Sequence, residues 1–163
     1  MSFFDIKNLD IEYQTRKETI EASKNVSFNL KRGEIIGIVG ESGSGKSTVA
    51  NAIINLIDKP GKIINGSIKL DGIEICKNDE IIQNIRGKKI GFIFQDPQTS
   101  LNPLFTIKEQ LVETIQTHSS LNYDAAAKKS VNLLKEVGIE NPEKRINDYP
   151  HQFSGGMRQR VVI

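Results

Sequence analysis

The chain has 163 residues, 37% hydrophobic and 26% charged, an ordinary globular composition with room for one domain and a small subdomain. A formal net charge of +2 is too small to point to nucleic acid or an anionic membrane. A single cysteine, Cys76, excludes an intramolecular disulfide and reads as a small packing residue in a reducing compartment. The opening "MSFFDIKNLD" predicts no signal peptide, and no apolar run reaches the roughly 20 residues of a membrane helix.

In chain order, "FFDIKNLDIEY" and "KNVSFNL" alternate loosely and predict antiparallel strands with one solvated face, followed by a turn at "KRGE". "IIGIVG" (35–40) is a continuous apolar run and predicts a strand buried on both faces of a parallel sheet. "STVANAIINLI" places Val49, Ala50, Ile53, Ile54 and Ile57 at helical spacing, with Pro60-Gly61 as the stop. "GSIKLDGIEIC" alternates again around an Asp71-Gly72 hairpin turn. "DEIIQNIRG" predicts a short helix, and "KIGFIF" (89–94) a second buried strand, followed by a loop bracketed by Pro97 and Pro103. Thr106 and Glu109 form a capping box ahead of the stripe Ile107, Leu111, Val112 and Ile115. Asp124 is expected to cap the next helix, with Val131, Leu134 and Val137 inward and Gly138 as its stop. The elements predict an α/β fold. Residues 1–34 and 62–78 form an antiparallel β subdomain, 35–61 and 79–103 a core, and 104–163 a helical subdomain.

"GESGSGKST" (40–48) matches the phosphate-binding loop G-x-x-x-x-G-K-[ST]. Glycines such as Gly40, Gly43 and Gly45 let the chain curl so that successive amides, those of Ser42 and Ser44 among them, face an anion. The helix that follows adds its N-terminal partial charge. Lys46 can reach the terminal phosphates, Ser47 can ligate Mg²⁺, and Thr48 can add a contact near the first phosphate. The chemistry is that of a nucleoside triphosphate. No Asn-Lys-x-Asp segment is present to select guanine.

Two further segments narrow the class: "FQDPQTSLNP" (94–103) after the second apolar run, and "YPHQFSGGMRQR" (149–160) after the helical stretch. With Tyr13 upstream of the loop, this order resembles the aromatic, phosphate-loop, Gln-loop and signature elements of an ABC-type ATPase. The wording resembles the oligopeptide/dipeptide importer ATPases, the D-type partner of their paired subunits in particular, over essentially the whole chain. The resemblance implies a P-loop NTPase fold with an N-terminal antiparallel β subdomain and a helical insertion. It implies that Tyr13 stacks on adenine and that Gln95 meets both Mg²⁺ and the attacking water. Ser154, Gly155, Gly156 and Met157 would open a helix whose N-terminus grips the γ-phosphate of ATP held by another subunit. Phe153 and Met157 depart from the consensus Leu-Ser-Gly-Gly-Gln and read as subfamily marks. Arg158 and Arg160 read as solvated helix charges, and His151 as a packing or capping residue. The implied partners are a second ABC ATPase subunit, transmembrane permease subunits and an extracytoplasmic peptide-binding protein. The implied location is the cytoplasmic face of the membrane, without nucleic acid.

The family pattern continues, after the signature helix, with four apolar residues ending in Asp-Glu, then a His. Neither follows here, and both His118 and His151 precede the signature. The expectation is a chain truncated before that Asp-Glu, binding ATP without efficient turnover and unstable alone. Two other readings stay open: a soluble ABC-class ATPase, and a non-hydrolysing fragment that only binds nucleotide.

Overall fold

A computed structural model describes residues 2–76, 78–96 and 100–163. The chain divides into two units, residues 1–90 and 91–163. In the first, β1 (Phe4–Gln14), β2 (Thr19–Leu30), β3 (Gly61–Leu70) and β4 (Ile73–Glu74) form one sheet. Its order is β2-β1-β3-β4, with every pair antiparallel. Asp71 and Gly72, at φ +49° and +78°, make the predicted two-residue turn, whose type requires positive φ at both centres.

The loose alternation of β1 has a structural cause. Phe4 and Ile6 face the core, but so do Leu9 and Ile11, which strict alternation would put on opposite faces. The register shifts between Ile6 and Leu9, where Asn8 takes a left-handed φ of +47°. That bulge returns the second pair to the core side. Gly66 on β3 accommodates it, since a Cβ there would lie 2.7 Å from the Asn8 carbonyl oxygen.

Two helices belong to this unit, α1 (Lys46–Ile53) and α2 (Asp79–Ile85). Val49 and Ala52 of α1 and Ile82 and Ile85 of α2 join the inward residues of the sheet in one core. Ile6, Leu9, Ile11 and Ile68 are at most 1% exposed, so each contributes about 1.5–3 kcal/mol of burial. Cys76 packs against this core, as its composition suggested. The Asn78 side chain caps α2 by accepting from the Ile81 amide. Helix α1 is shorter than its apolar spacing predicted: it ends at Ile53, and Asn55 turns left-handed at φ +52°, well before Pro60-Gly61.

The predicted buried strand at 35–40 is not formed. The segment has no regular structure, and Ile35 and Val39 are 96% and 91% exposed. A parallel strand buried on both faces needs paired neighbours at its edges. Among the described residues none flanks this run. The same holds for 89–94: Ile90 makes one isolated bridge with Arg86, and residues 91–94 have no regular structure, with Ile93 and Phe94 about half exposed.

The second unit is helical: α3 (Ile107–His118), α4 (Tyr123–Glu136), α5 (Pro142–Arg145), a 3₁₀ turn (Pro150–Gln152) and α6 (Gly155–Val162). The Thr106–Glu109 capping box is present in both directions. Glu109 donates its amide to Thr106 Oγ1 at 3.2 Å, and Glu109 Oε2 accepts from the Thr106 amide at 2.7 Å. The Thr106 hydroxyl, which donates to Glu109 Oε2 at 2.7 Å, and after it the Thr106 amide hold the Glu109 carboxyl below its ordinary pKa. The cap of α4 is Asn122, not Asp124: the Asn122 side chain accepts from the Ala125 amide, and Asp124 sits in the first turn, facing the positive helix end. Gly138, at φ +73°, ends that helix as expected. His118 is the last residue of α3.

The core of this unit is Ile107, Leu134, Ile139, Ile146, Phe153 and Val161, with Leu111, Val131, Val137 and Met157 packed around it. The division falls between Ile90 and Gly91, so Gly91 to Asp96 lie with the helices. The loop expected from Pro97 to Pro103 lies in part outside the described residues.

Candidate functional site

Residues 43–48 curl around the start of α1. Gly43 and Gly45 have φ of +84° and +85°, a region nearly closed to other residues. At Gly45 the demand is doubled, because a Cβ would collide with the Ala22 carbonyl of β2. At Gly43 a Cβ would meet nothing within 4 Å, so that side of the loop stands open. Gly40 is held differently: its Cβ would lie 2.6 Å from Ser44 Oγ. Lys46 Nζ donates to the Gly40 carbonyl at 2.8 Å, the Glu41 carbonyl at 2.6 Å and Ser44 Oγ at 3.2 Å. The cation therefore rests on the rim of its own loop and fixes the curl.

A cleft of about 330 Å³ lies beside the loop, lined by Gly43, Ser44, Gly45, Lys46, Ser47 and Thr48, and also by Tyr13, Ile20, Glu21 and Ala22. The sequence-predicted aromatic and the phosphate loop thus share one cavity. Strand pairing explains how. Tyr13 of β1 lies opposite Ile20 of β2 on one side and Gly61 of β3 on the other. Gly61 makes room for the ring, since a Cβ there would come within 2.8 Å of Tyr13 Cε1. The ring and Ile20 give the cleft a flat apolar end; the loop amides and Lys46 give it an anion-binding end. Sequence reading missed Ile20, Glu21 and Ala22. Their only signal was membership of the strand that pairs with β1, and the register of that pair was not legible.

In the helical unit, Ser154 caps α6 by accepting the Met157 amide at 3.3 Å, which leaves its hydroxyl hydrogen free to donate. The amides of Gly155 and Gly156 belong to the first turn, where no intrahelical carbonyl can serve them. Neither glycine has a positive φ, and a Cβ on either would meet nothing within 4 Å. Among the described residues, no contact requires a glycine at these two positions. Ser154 and Met157 also line a polar cleft of about 310 Å³ with Gly138, Glu140, Asn141, Arg145 and Arg160. Met157 packs partly inward. Phe153, 3% exposed, is a core residue, which accounts for one departure from the Leu consensus: both side chains fill an apolar position. His151 stacks on Tyr149, with ring centroids 5.7 Å apart. Gln95 sits in an exposed bend of the same unit.

The arginines of α6 are not simply solvated. Arg160 Nη1 donates to the Gly138 carbonyl at 2.6 Å. Arg158 Nε is buried with no hydrogen-bond partner among the described residues.

Among the described residues no group of three His, Cys, Asp or Glu is placed to hold a metal ion, and no helix is long and apolar enough to cross a membrane.

A family model described as ABC transporter matches residues 23–163. The oligopeptide transport ATP-binding protein OppD of Bacillus subtilis (strain 168) is 47% identical over 98% of this chain and 45% of its own length. The dipeptide transport ATP-binding protein DppD of Haemophilus influenzae (strain ATCC 51907 / DSM 11121 / KW20 / Rd) is 41% identical over all of this chain and 50% of its own. The chain thus spans about half the length of the curated relatives it matches. Among solved structures, the dimeric bacterial ABC transporter cassette MJ0796 superposes with a TM-score of 0.84 at 36% identity, over 98% of this chain and 67% of that one. A post-hydrolysis dimer of the same cassette, bound to ADP and Pi, gives 0.83 at 35% identity, over 98% and 66%. The fold is that of the ABC ATPase cassettes, and the chain belongs to the ABC transporter family.

Proposed function

We propose that this chain supplies the ATP-binding part of an ABC importer subunit that couples ATP binding and hydrolysis to uptake of di- or oligopeptides. The observation that carries the nucleotide half is the single cleft holding Tyr13 and residues 43–48. In this reading the adenine stacks on Tyr13, and the phosphates lie along the amides of Ser42 to Thr48. Lys46 exchanges its loop carbonyls for anionic phosphate oxygens, and a hydrogen bond to an ionised acceptor is the stronger one.

The oxygen donors present suit Mg²⁺, a hard cation that takes most of its ligands from water and phosphates rather than from a cage of side chains. Ser47, at the start of α1, is the residue of the first unit proposed to hold it; the same role for Gln95, in the helical unit, rests on the family resemblance alone. Bound Mg²⁺ supplies charge neutralisation and Lewis-acid polarisation of the phosphates. Gln95 also orients the attacking water. Ser154, Gly155 and Gly156, with Met157 anchoring the turn, offer one hydroxyl and two bare amides to a nucleotide held by a second subunit. That the two glycines serve no contact in this chain supports an external ligand.

The peptide substrate is carried over from the names of the relatives. With it come the proposed partners: a second ABC ATPase subunit, transmembrane permease subunits and an extracytoplasmic peptide-binding protein. The proposed location is peripheral, on the cytoplasmic face of the membrane.

Titration of a fluorescent ATP analogue tests the cleft. Lys46→Ala removes a charge-assisted contact and is expected to weaken binding about 10–100-fold. Tyr13→Ala loses one stacking face, about 1–3 kcal/mol, while Tyr13→Phe stays near the parent. Unchanged affinity in Lys46→Ala would overturn the nucleotide site. Retained peptide uptake in cells whose full subunit carries Lys46→Ala would overturn the transport role.

A further inference from the structure

Arg160 lies on α6, six residues after Ser154, and its side chain makes two contacts at once. Nη1 donates to the Gly138 carbonyl at 2.6 Å, and Nε to the Gly156 carbonyl, one turn back, at 3.4 Å. Gly138 is the left-handed residue that ends α4, so its carbonyl stands at the negative end of that helix. Gly156 is the second residue of α6 and one of the two bare glycines of the first turn. Arg160 also borders the polar cleft that Ser154 lines. A planar guanidinium with donors on two edges can hold both carbonyls; a lysine ammonium is a point donor and cannot reproduce the fork.

We propose that Arg160 is the positioning residue of the signature turn. By tying the Gly156 carbonyl to the end of α4, it sets the direction in which the Ser154 hydroxyl and the Gly155 and Gly156 amides point. This rests on the reading that the turn receives a phosphate. It differs from a direct electrostatic role, because the guanidinium spends its Nε and Nη1 donors on protein carbonyls. It also differs from a general stabilising role, because the contacts bear on one exposed turn and not on the core. Gly138 takes part through its backbone geometry. A Cβ there would lie 3.3 Å from Arg160 Nη1, so the glycine clears the approach as well as providing the φ.

The test uses the full-length subunit that contains this chain, in three measurements. Amide hydrogen exchange at Met157 and Arg158, the turn amides that donate to Ser154, reads the turn itself and needs no partner. Arg160→Lys and Arg160→Ala should each speed exchange there about tenfold, the size of one charge-assisted hydrogen bond, with exchange in α3 unchanged. Association in Mg-ATP with itself or with the second ATPase subunit purified with it, followed by sedimentation velocity, reads the function: both variants should associate about tenfold more weakly while binding the fluorescent ATP analogue as the parent does. Millimolar guanidinium should restore Arg160→Ala and leave Arg160→Lys unrestored. Unaltered exchange at Met157 and Arg158 overturns the positioning role whatever the association shows. Association retained in Arg160→Lys shows that charge alone suffices, and also overturns it. Ser154→Ala separates the layers. If it leaves association intact, or the parent does not associate, the phosphate-receiving reading fails and the proposal with it. If Ser154→Ala weakens association and the Arg160 variants do not, only the proposal fails.

Discussion

Replacing Gly155 and Gly156 by alanine should make the chain more stable and its nucleotide-dependent association weaker. Both positions have a backbone that alanine accepts, and neither added methyl meets an atom of the chain within 4 Å. A glycine-to-alanine change at such a site stabilises by about 0.4–1 kcal/mol, chiefly by restricting the unfolded chain. The double variant should therefore gain about 1–2 kcal/mol. For a chain of 163 residues that is a rise in Tm of roughly 2–4 °C per kcal/mol. The two methyls would at the same time cover amides that a phosphate must approach. Losing one charge-assisted hydrogen bond costs about 1.5–3 kcal/mol, or roughly 10–100-fold in affinity. Thermal unfolding by circular dichroism reads the first effect, and sedimentation in Mg-ATP the second. Opposite signs are the signature of a site kept open for something outside the chain. A stabilised variant that associates as well as the parent would refute the claim that the glycines serve a ligand. A destabilised variant would refute the claim that nothing inside the chain needs them.

Two other predictions follow from the same local geometry. Gly43→Ala and Gly45→Ala share a positive φ, which costs a non-glycine residue about 1–2 kcal/mol. Only Gly45→Ala adds a collision, with the Ala22 carbonyl, so it should lose more stability than Gly43→Ala in the same melt; equal losses would show that the collision relaxes freely. The Thr106–Glu109 box should make the helical unit acid-sensitive. Glu109 has a depressed folded pKa, so its stabilisation is fully present above the ordinary carboxylate range and is lost as pH falls through the folded value. Thr106→Ala should cost about 0.5–2 kcal/mol near neutral pH. The difference from the parent should shrink below pH ~4, and a difference constant with pH would remove the carboxylate from the cap.

The legible parts of the fold were those whose cause is local. Asp71-Gly72 carries its own turn geometry, Thr106 and Glu109 satisfy each other three residues apart, and Gly138 stops a helix by its φ. The phosphate loop was legible for the same reason, being a backbone shape encoded by adjacent residues. What failed needed distant partners. "IIGIVG" announces that it should be buried but not what would pair with it, and here Ile35 and Val39 face solvent. The bulge at Asn8 was invisible because it depends on β1 having partners on both sides, with Gly66 supplying the room. Asp124 and Asn122 are both residue types that cap helices, and only the backbone shows that Asn122 stands at the non-helical position.

The glycines sharpen what a motif can and cannot say. Sequence presents Gly45 and Gly156 alike, each as a small residue in a phosphate-binding signature. The structure separates them by what an added methyl would touch. At Gly45 the answer is the chain's own β2 backbone, so that glycine would be needed even if no nucleotide ever bound. At Gly155 and Gly156 the answer is open space, although glycine in the first turn of a helix is a poor choice on propensity alone. A residue that weakens its own helix without relieving any internal contact has its justification outside the chain. The proposal that a ligand completes the site therefore leans on the signature turn more than on the better-defined loop at 40–48. The turn also gives the proposed role of Arg160 its setting: one of the two side-chain bonds reaches the carbonyl of Gly156 in the turn, and the other anchors the arginine to Gly138.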